Sequence, residues 1–139
     1  MDIQYTRMHT EDYDESFALW QSIPGIRLNS ADSVESINNY LARNPGQSFV
    51  CRRKGKIIGT VMCGNDGRRA FIYHLAVAPE HRRRGIGAEL VRLAMMEQKQ
   101  RGMDKCALFI LNDNISGKEF WMHMGFSYVE EAAAMAKTI

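Results

Sequence analysis

No apolar run in this sequence approaches the ~18 to 20 residues that a membrane helix needs. The start, Met1-Asp2, lacks the basic-then-apolar layout of a signal peptide. Both absences lead to the expectation of a cytoplasmic protein that does not enter a membrane. Cysteine is scarce: Cys51, Cys63 and Cys106 are odd in number and show no Cys-x-x-Cys spacing. That argues against a disulfide framework or a zinc site, and for buried reduced thiols. A large excess of one charge is missing too. The 18 basic and 16 acidic residues leave a net charge of +2, too little for a protein that coats nucleic acid or anionic lipid. No low-complexity tract occurs and no period of roughly 20 to 50 residues repeats, so linkers and solenoids are set aside.

What is there suits a single domain spanning 1–139. The chain has 139 residues, 45% of them hydrophobic and 24% charged, and a chain of this size buries roughly two-thirds of its unfolded surface without disulfides or metal. Acidic residues crowd the first helix candidate as Glu11, Asp12, Asp14 and Glu15. Basic ones cluster at Arg52-Arg53-Lys54, Arg68-Arg69 and Arg82-Arg83-Arg84, which suggests that something small and anionic is met locally.

The pattern is mixed. Ile3 to Met8 reads as a strand, and a helix follows from Thr10 to about Ser22, stopped by Pro24-Gly25. Ser30 or Asp32 can cap a second helix through Val34, Ile37, Tyr40 and Leu41, ended by Asn44-Pro45-Gly46. Ser48 to Arg53 and Lys56 to Asn65 are strands joined by Lys54-Gly55, a hairpin signal. Asn65-Asp66-Gly67 turns into a strand over Phe71 to Ala78, closed by Pro79. Gly85 to Arg101 is helical with Ile86, Leu90, Leu93 and Ala94 on one face, and Gly102 sits where a helix end wants it. Cys106 to Leu111 is a strand, Ser116 to Met124 a short helix ended by Gly125, and Phe126 to Val129 a strand, with one more strand allowed before Ile139. The order is β-α-α-β-β-β-α-β-α-β, an α/β (α+β) class.

The informative stretch runs from Leu75 through Pro79 and Arg82-Arg83-Arg84-Gly85-Ile86-Gly87 to Leu90. It is a strand, a turn and a helix with two glycines at the helix start. Successive N–H groups from Arg83 to Ala88, at the positive end of a helix dipole, form a site for phosphate groups. Two nucleotide-binding readings fail on residues. A dinucleotide fingerprint wants a third glycine where Leu90 stands, and a P-loop wants Lys-Ser or Lys-Thr where Ala88-Glu89 stands.

The run Arg82-Arg83-Arg84-Gly85-Ile86-Gly87 resembles the (Gln or Arg)-x-x-Gly-x-(Gly or Ala) signature of the GCN5-related N-acetyltransferases. Leu75-Ala76-Val77-Ala78-Pro79 before it is similar to that family's central strand. Asn114, followed by Trp121 and Gly125-Phe126, looks like its second signature. The resemblance extends over essentially the whole chain, since the element order is also the family's order. It implies a mixed, mostly antiparallel sheet, splayed at the cofactor site and flanked by about four helices. It also implies acetyl-coenzyme A as co-substrate, with no metal, and an amine acceptor. The pyrophosphate would lie on the backbone of Arg83, Arg84, Gly85, Ile86, Gly87 and Ala88 beside Arg82. The pantetheine arm would pair along Leu75, Ala76 and Val77, with Asn114 touching it and Trp121 packed beside the cofactor. The Leu75 N–H would stabilise the oxyanion.

A primary amine with a pKa near ~10 must lose a proton before it attacks the thioester. In this family the base often sits at positions matching Phe71 and Tyr73, and neither is a competent base here. His74 has a suitable side chain but by strand alternation points opposite to Tyr73. Glu35, on the helix expected to line the acceptor cleft, is a comparable candidate, and a water chain is a third. Many relatives carry a proton-donating tyrosine where Trp121 stands, which an indole cannot replace. Tyr128 or Tyr73 could substitute. A non-catalytic acyl-coenzyme A sensor is the alternative reading, and nucleic-acid binding through Arg82–Arg84 a disfavoured third. A monomer or a homodimer through an exposed strand edge is expected.

Overall fold

A computed structural model describes residues 2–139, in two compact units. The first runs through Phe109 and holds β1 (Ile3–Arg7), α1 (Tyr13–Gln21), α2 (Val34–Arg43), β2 (Phe49–Arg53), β3 (Lys56–Asn65), β4 (Ala70–Val77), α3 (Ile86–Gln100) and β5 (Cys106–Leu108). The second, Ile110–Ile139, contains α4 (Ile115–His123). The five strands form one sheet in the order β1-β2-β3-β4-β5, antiparallel except for the parallel β4–β5 pair. This is the mixed, mostly antiparallel sheet with about four helices that the family resemblance implied.

Local chemistry explains the elements. The acids at the start of α1 tie it to the sheet rather than face solvent alone. Asp12 accepts from the His9 amide at 2.9 Å and pairs with the Arg52 guanidinium, and the Glu15 carboxylate accepts from the Ile57 amide at 3.0 Å. At the β2–β3 turn Lys54 and Gly55 both take left-handed φ, +51° and +78°, as a two-residue hairpin requires. On one sheet face Trp20, Ile37, Val50, Met62 and Ala76 form a buried cluster beneath α1 and α2. Against β3, α3 buries Ile86, Leu90, Val91 and Ala94, and Leu93 is only half-buried. Close approach of α3 depends on Gly59, where an added Cβ would lie 3.1 Å from Ile86 Cγ2 and 3.2 Å from Leu90 Cδ1. The three cysteines are free, with Cys51 and Cys63 buried. Among the described residues no helix is long and apolar enough to cross a membrane.

Three expectations change. The cap of α2 is neither Ser30 nor Asp32 but Ser33, whose hydroxyl accepts from the Ser36 amide at 3.1 Å. Ser30–Asp32 instead form a separate 3-10 turn, and the Asp32 carboxylate is taken up by the Asn29 amide and by His74. β5 stops at Leu108 instead of reaching Leu111. Phe126–Val129 is not a strand, nor is the stretch before Ile139. Its apolar pattern finds no ladder partner. The Phe126 amide closes instead onto the Trp121 carbonyl at 2.9 Å, after the left-handed Gly125 (φ +95°), and Tyr128 and Val129 stay exposed.

Candidate active site

The site is organised by an irregularity in β4. Strands β3 and β4 keep one register from Asn65↔Ala70 to Met62↔Tyr73 and another from Thr60↔Ala76 onward, so β4 carries one extra residue between them. This is a bulge over His74 and Leu75, neither of which has a register partner. His74 takes φ +47°, a conformation that costs a residue with a Cβ on the order of 1–3 kcal/mol and persists only when its surroundings enforce it. They do so from two sides. The buried Thr60 hydroxyl donates to the His74 carbonyl at 3.0 Å and accepts from Trp20 Nε1 at 2.9 Å. The His74 imidazole meets Asp32 Oδ1 through Nε2 at 2.6 Å and lies tilted on the Trp20 ring, centroids 4.6 Å apart.

The bulge changes which face each side chain takes. Ile72 is paired with Cys63, whose sulfur meets Gln98 of α3, whereas Ala76 packs with Trp20 and Ile37 on the opposite face. Even-numbered residues of β4 thus change sides. Tyr73 packs edge-on to Tyr40 of α2, centroids 6.1 Å apart, and His74 contacts Trp20 of α1 and Asp32 just before α2. The expectation that His74 points away from Tyr73 is therefore overturned: both face α1 and α2. Tyr73 remains 43% exposed, and partial burial raises the pKa of its phenol, so it stays protonated at neutral pH and is able to donate.

The outer edge of β4 is open over the same residues. Its parallel pairing with β5 covers only Ala70↔Cys106 to Ile72↔Leu108, and from Tyr73 to Val77 no strand among the described residues pairs with that edge. Leu75, Ala76 and Val77 lie here, and Arg82 Nε donates to the Val77 carbonyl at 3.2 Å. A 3-10 turn over Pro79–His81 leads to Arg83 and Gly85, both left-handed at φ +64° and +77°. A Cβ at Gly85 would meet nothing within 4 Å, so the position calls for glycine by its φ and not by space. The Glu89 amide closes onto the Gly85 carbonyl at 3.0 Å, and the amides of Ile86 and Gly87 ahead of it have no intrahelical acceptor. Arg82, Arg83 and Arg84 stand exposed around this positive helix end, and Ala88 is half-buried in its first turn.

The other expected residues are described within their own elements. Glu35 is exposed in the first turn of α2. In the second unit the Asn114 side chain caps α4, accepting from the Gly117 amide at 3.0 Å, and Trp121 packs edge-on to Phe120 and Phe126. Tyr128 is exposed, with Lys118 Nζ 6.0 Å from its ring centroid. Sequence reasoning missed Trp20, Thr60 and Asp32. Asp32 carried only a capping signal, and nothing in a one-dimensional pattern reports a bulge. No group of three metal-ligating side chains occurs among the described residues.

The chain is similar to known proteins in sequence and in fold. An acetyltransferase of Photorhabdus laumondii is 34% identical over 120 residues, covering 82% of this chain and 78% of its own. Among solved structures, Ard1 from Thermoplasma volcanium superposes with a TM-score of 0.80 at 19% identity, covering 91% of this chain and 84% of that one. The PaiA N-acetyltransferase of Thermoplasma acidophilum, solved in complex with coenzyme A, gives a TM-score of 0.75 at 18% identity over 88% of each chain. The family model of the Acetyltransferase (GNAT) family matches residues 7–126. With its fold, its Arg82–Gly87 turn and this match in hand, the chain belongs to the GNAT family of acetyltransferases.

Proposed function

We propose that this protein transfers the acetyl group of acetyl-coenzyme A to a primary amine, by direct attack within a ternary complex. The observation that carries the reading is the coincidence of two features: the unpaired edge of β4 from Tyr73 to Val77 and, directly after it, the Arg82–Ala88 turn. Backbone groups along Leu75, Ala76 and Val77 suit the amides of a pantetheine arm, which would add to the sheet as a strand does. The helix start with Arg82, Arg83 and Arg84 suits a pyrophosphate. Leu75, without a register partner, is the backbone donor proposed for the thioester oxyanion. A solved relative in fold holds coenzyme A, which supports the donor. The protonated phenol of Tyr73 is the proposed proton source for the departing thiolate, in place of Trp121.

The test is thermal melting with acetyl-coenzyme A beside matched ADP and NAD. At ~100 times its dissociation constant, the ligand adds about 2.7 kcal/mol, an upward shift of several degrees for a chain of this size. No shift at millimolar ligand overturns the donor site. Given a shift, thiol release is followed across a panel of polyamines, aminoglycosides and peptides with free amino groups. Binding with silence across that panel replaces the transferase with an acyl-coenzyme A sensor.

A further inference from the structure

We propose that Asp32 is a positioning residue that holds His74 as the proton acceptor for the attacking amine. The inference rests on the acetyltransferase reading above and deepens it. His74 lies at the β4 bulge one residue before Leu75, the proposed oxyanion donor, and on the face shared with Tyr73. Its Nε2 is 2.6 Å from Asp32 Oδ1, and Asp32 Oδ2 is itself fixed by the Asn29 amide at 3.0 Å. An ionised carboxylate accepts only, so Nε2 carries the hydrogen and the lone pair falls on Nδ1. Nδ1 has no hydrogen-bond partner among the described residues and is not one of the buried polar atoms left unsatisfied, so it meets solvent. The side chain as a whole is 14% exposed against 8% for Asp32, so the ring offers an edge and the carboxylate stays behind it. The Thr60 clamp on its carbonyl fixes the backbone of His74, and Asp32 and Trp20 fix its ring.

The chemistry balances without further reactants. An ammonium R–NH3+ gives one proton to His74 Nδ1, leaving the neutral amine and an imidazolium held by Asp32. The amine lone pair forms the N–C bond to the thioester carbonyl carbon. The C–S bond breaks with its pair on sulfur, the thiolate takes the proton of the Tyr73 phenol, the remaining excess proton of the nitrogen restores that phenol, and His74 returns its proton to solvent. The products are the amide, coenzyme A thiol and one released proton.

The experiment uses the full chain, acetyl-coenzyme A and, as amine probes, spermidine, kanamycin and a peptide with a free N-terminus. Nitrogen-15 spectra of labelled histidine should report the Nε2–H tautomer for His74, with its Nε2 and Hε2 signals shifted in Asp32→Ala by loss of the hydrogen bond. An Nδ1–H tautomer, or a ring signal unchanged by Asp32→Ala, overturns the role of Asp32. In turnover, His74→Gly, which keeps the left-handed backbone free of strain, should lower kcat by about 100-fold or more while the KM for acetyl-coenzyme A holds. Added imidazole should restore part of the rate. Asp32→Asn should lower kcat in the wild-type background and have no further effect in the His74→Gly background. Near wild-type kcat in His74→Gly, or equal losses from Asp32→Asn in both backgrounds, overturns the proposal. A wild-type chain that binds no acetyl-coenzyme A, or acetylates none of the amines, overturns the function above and with it the role of His74 as proton acceptor, while the tautomer spectra still decide whether Asp32 positions the ring.

Discussion

At Thr60 one buried hydroxyl serves two partners, accepting from Trp20 Nε1 and donating to the His74 carbonyl. Trp20 and Thr60 are both fully buried, so neither bond is replaced by water if it is lost. Thr60→Val keeps the shape and removes the oxygen, leaving an indole N–H and a carbonyl unsatisfied. The expected cost is about 2–4 kcal/mol of unfolding free energy, read from urea denaturation. A value near zero would mean that the bulge does not depend on this clamp. At this scale the sequence was only partly legible. His74 stood out as a titratable residue on the central strand, but the side it faces depends on an extra residue in β4 that leaves no mark in the apolar pattern.

At the scale of elements, α3 is fastened to the sheet by charge as well as by its apolar face. The Glu97 carboxylate takes Arg7 Nη2 of β1 at 2.8 Å and Arg101 Nε at 2.9 Å, while Arg7 and Arg101 also donate to the carbonyls of Gly46 and Pro45. Burial pushes the Glu97 carboxyl up, but hydrogen bonds and charge from Arg7 and Arg101 outweigh it and hold the group below its ordinary value. A depressed folded pKa means stability that is present above the unfolded pKa and lost as pH falls through the folded one. Melting curves of wild type and Glu97→Gln should therefore differ most near neutrality and converge below about pH 4. A gap that stays constant into acid would assign the difference to packing. The same scale explains which elements were legible. α2 and α3 carry an apolar helical period and the β2–β3 hairpin carries its turn residues within their own sequence. Phe126–Val129 carried a strand pattern without a neighbour to pair with.

For the whole molecule, near-neutral charge governs what it will not retain. Arg82, Arg83 and Arg84 are exposed, yet they surround one helix start within a chain of net charge +2. Nucleic-acid affinity rises with the number of phosphates neutralised along a groove. Fluorescence polarisation of labelled DNA and RNA oligonucleotides should stay flat in roughly 150 mM salt. Salt-dependent binding in the micromolar range would turn the basic cluster toward nucleic acid and away from a pyrophosphate.

The sequence by itself determined the class, the element order through α4 and the family, because turn residues, helical period and the Arg82–Gly87 run are local and survive in one dimension. It also marked the strand and the turn where the donor is proposed to lie. Only the tertiary structure decided how the residues of that strand are presented. Three pairings leave the β4 edge open from Tyr73, one extra residue turns His74 onto the face of Tyr73, and Asp32, 42 positions earlier in the chain, closes on its imidazole. These are relations between distant segments, fixed by register and packing, and no local pattern encodes a register shift.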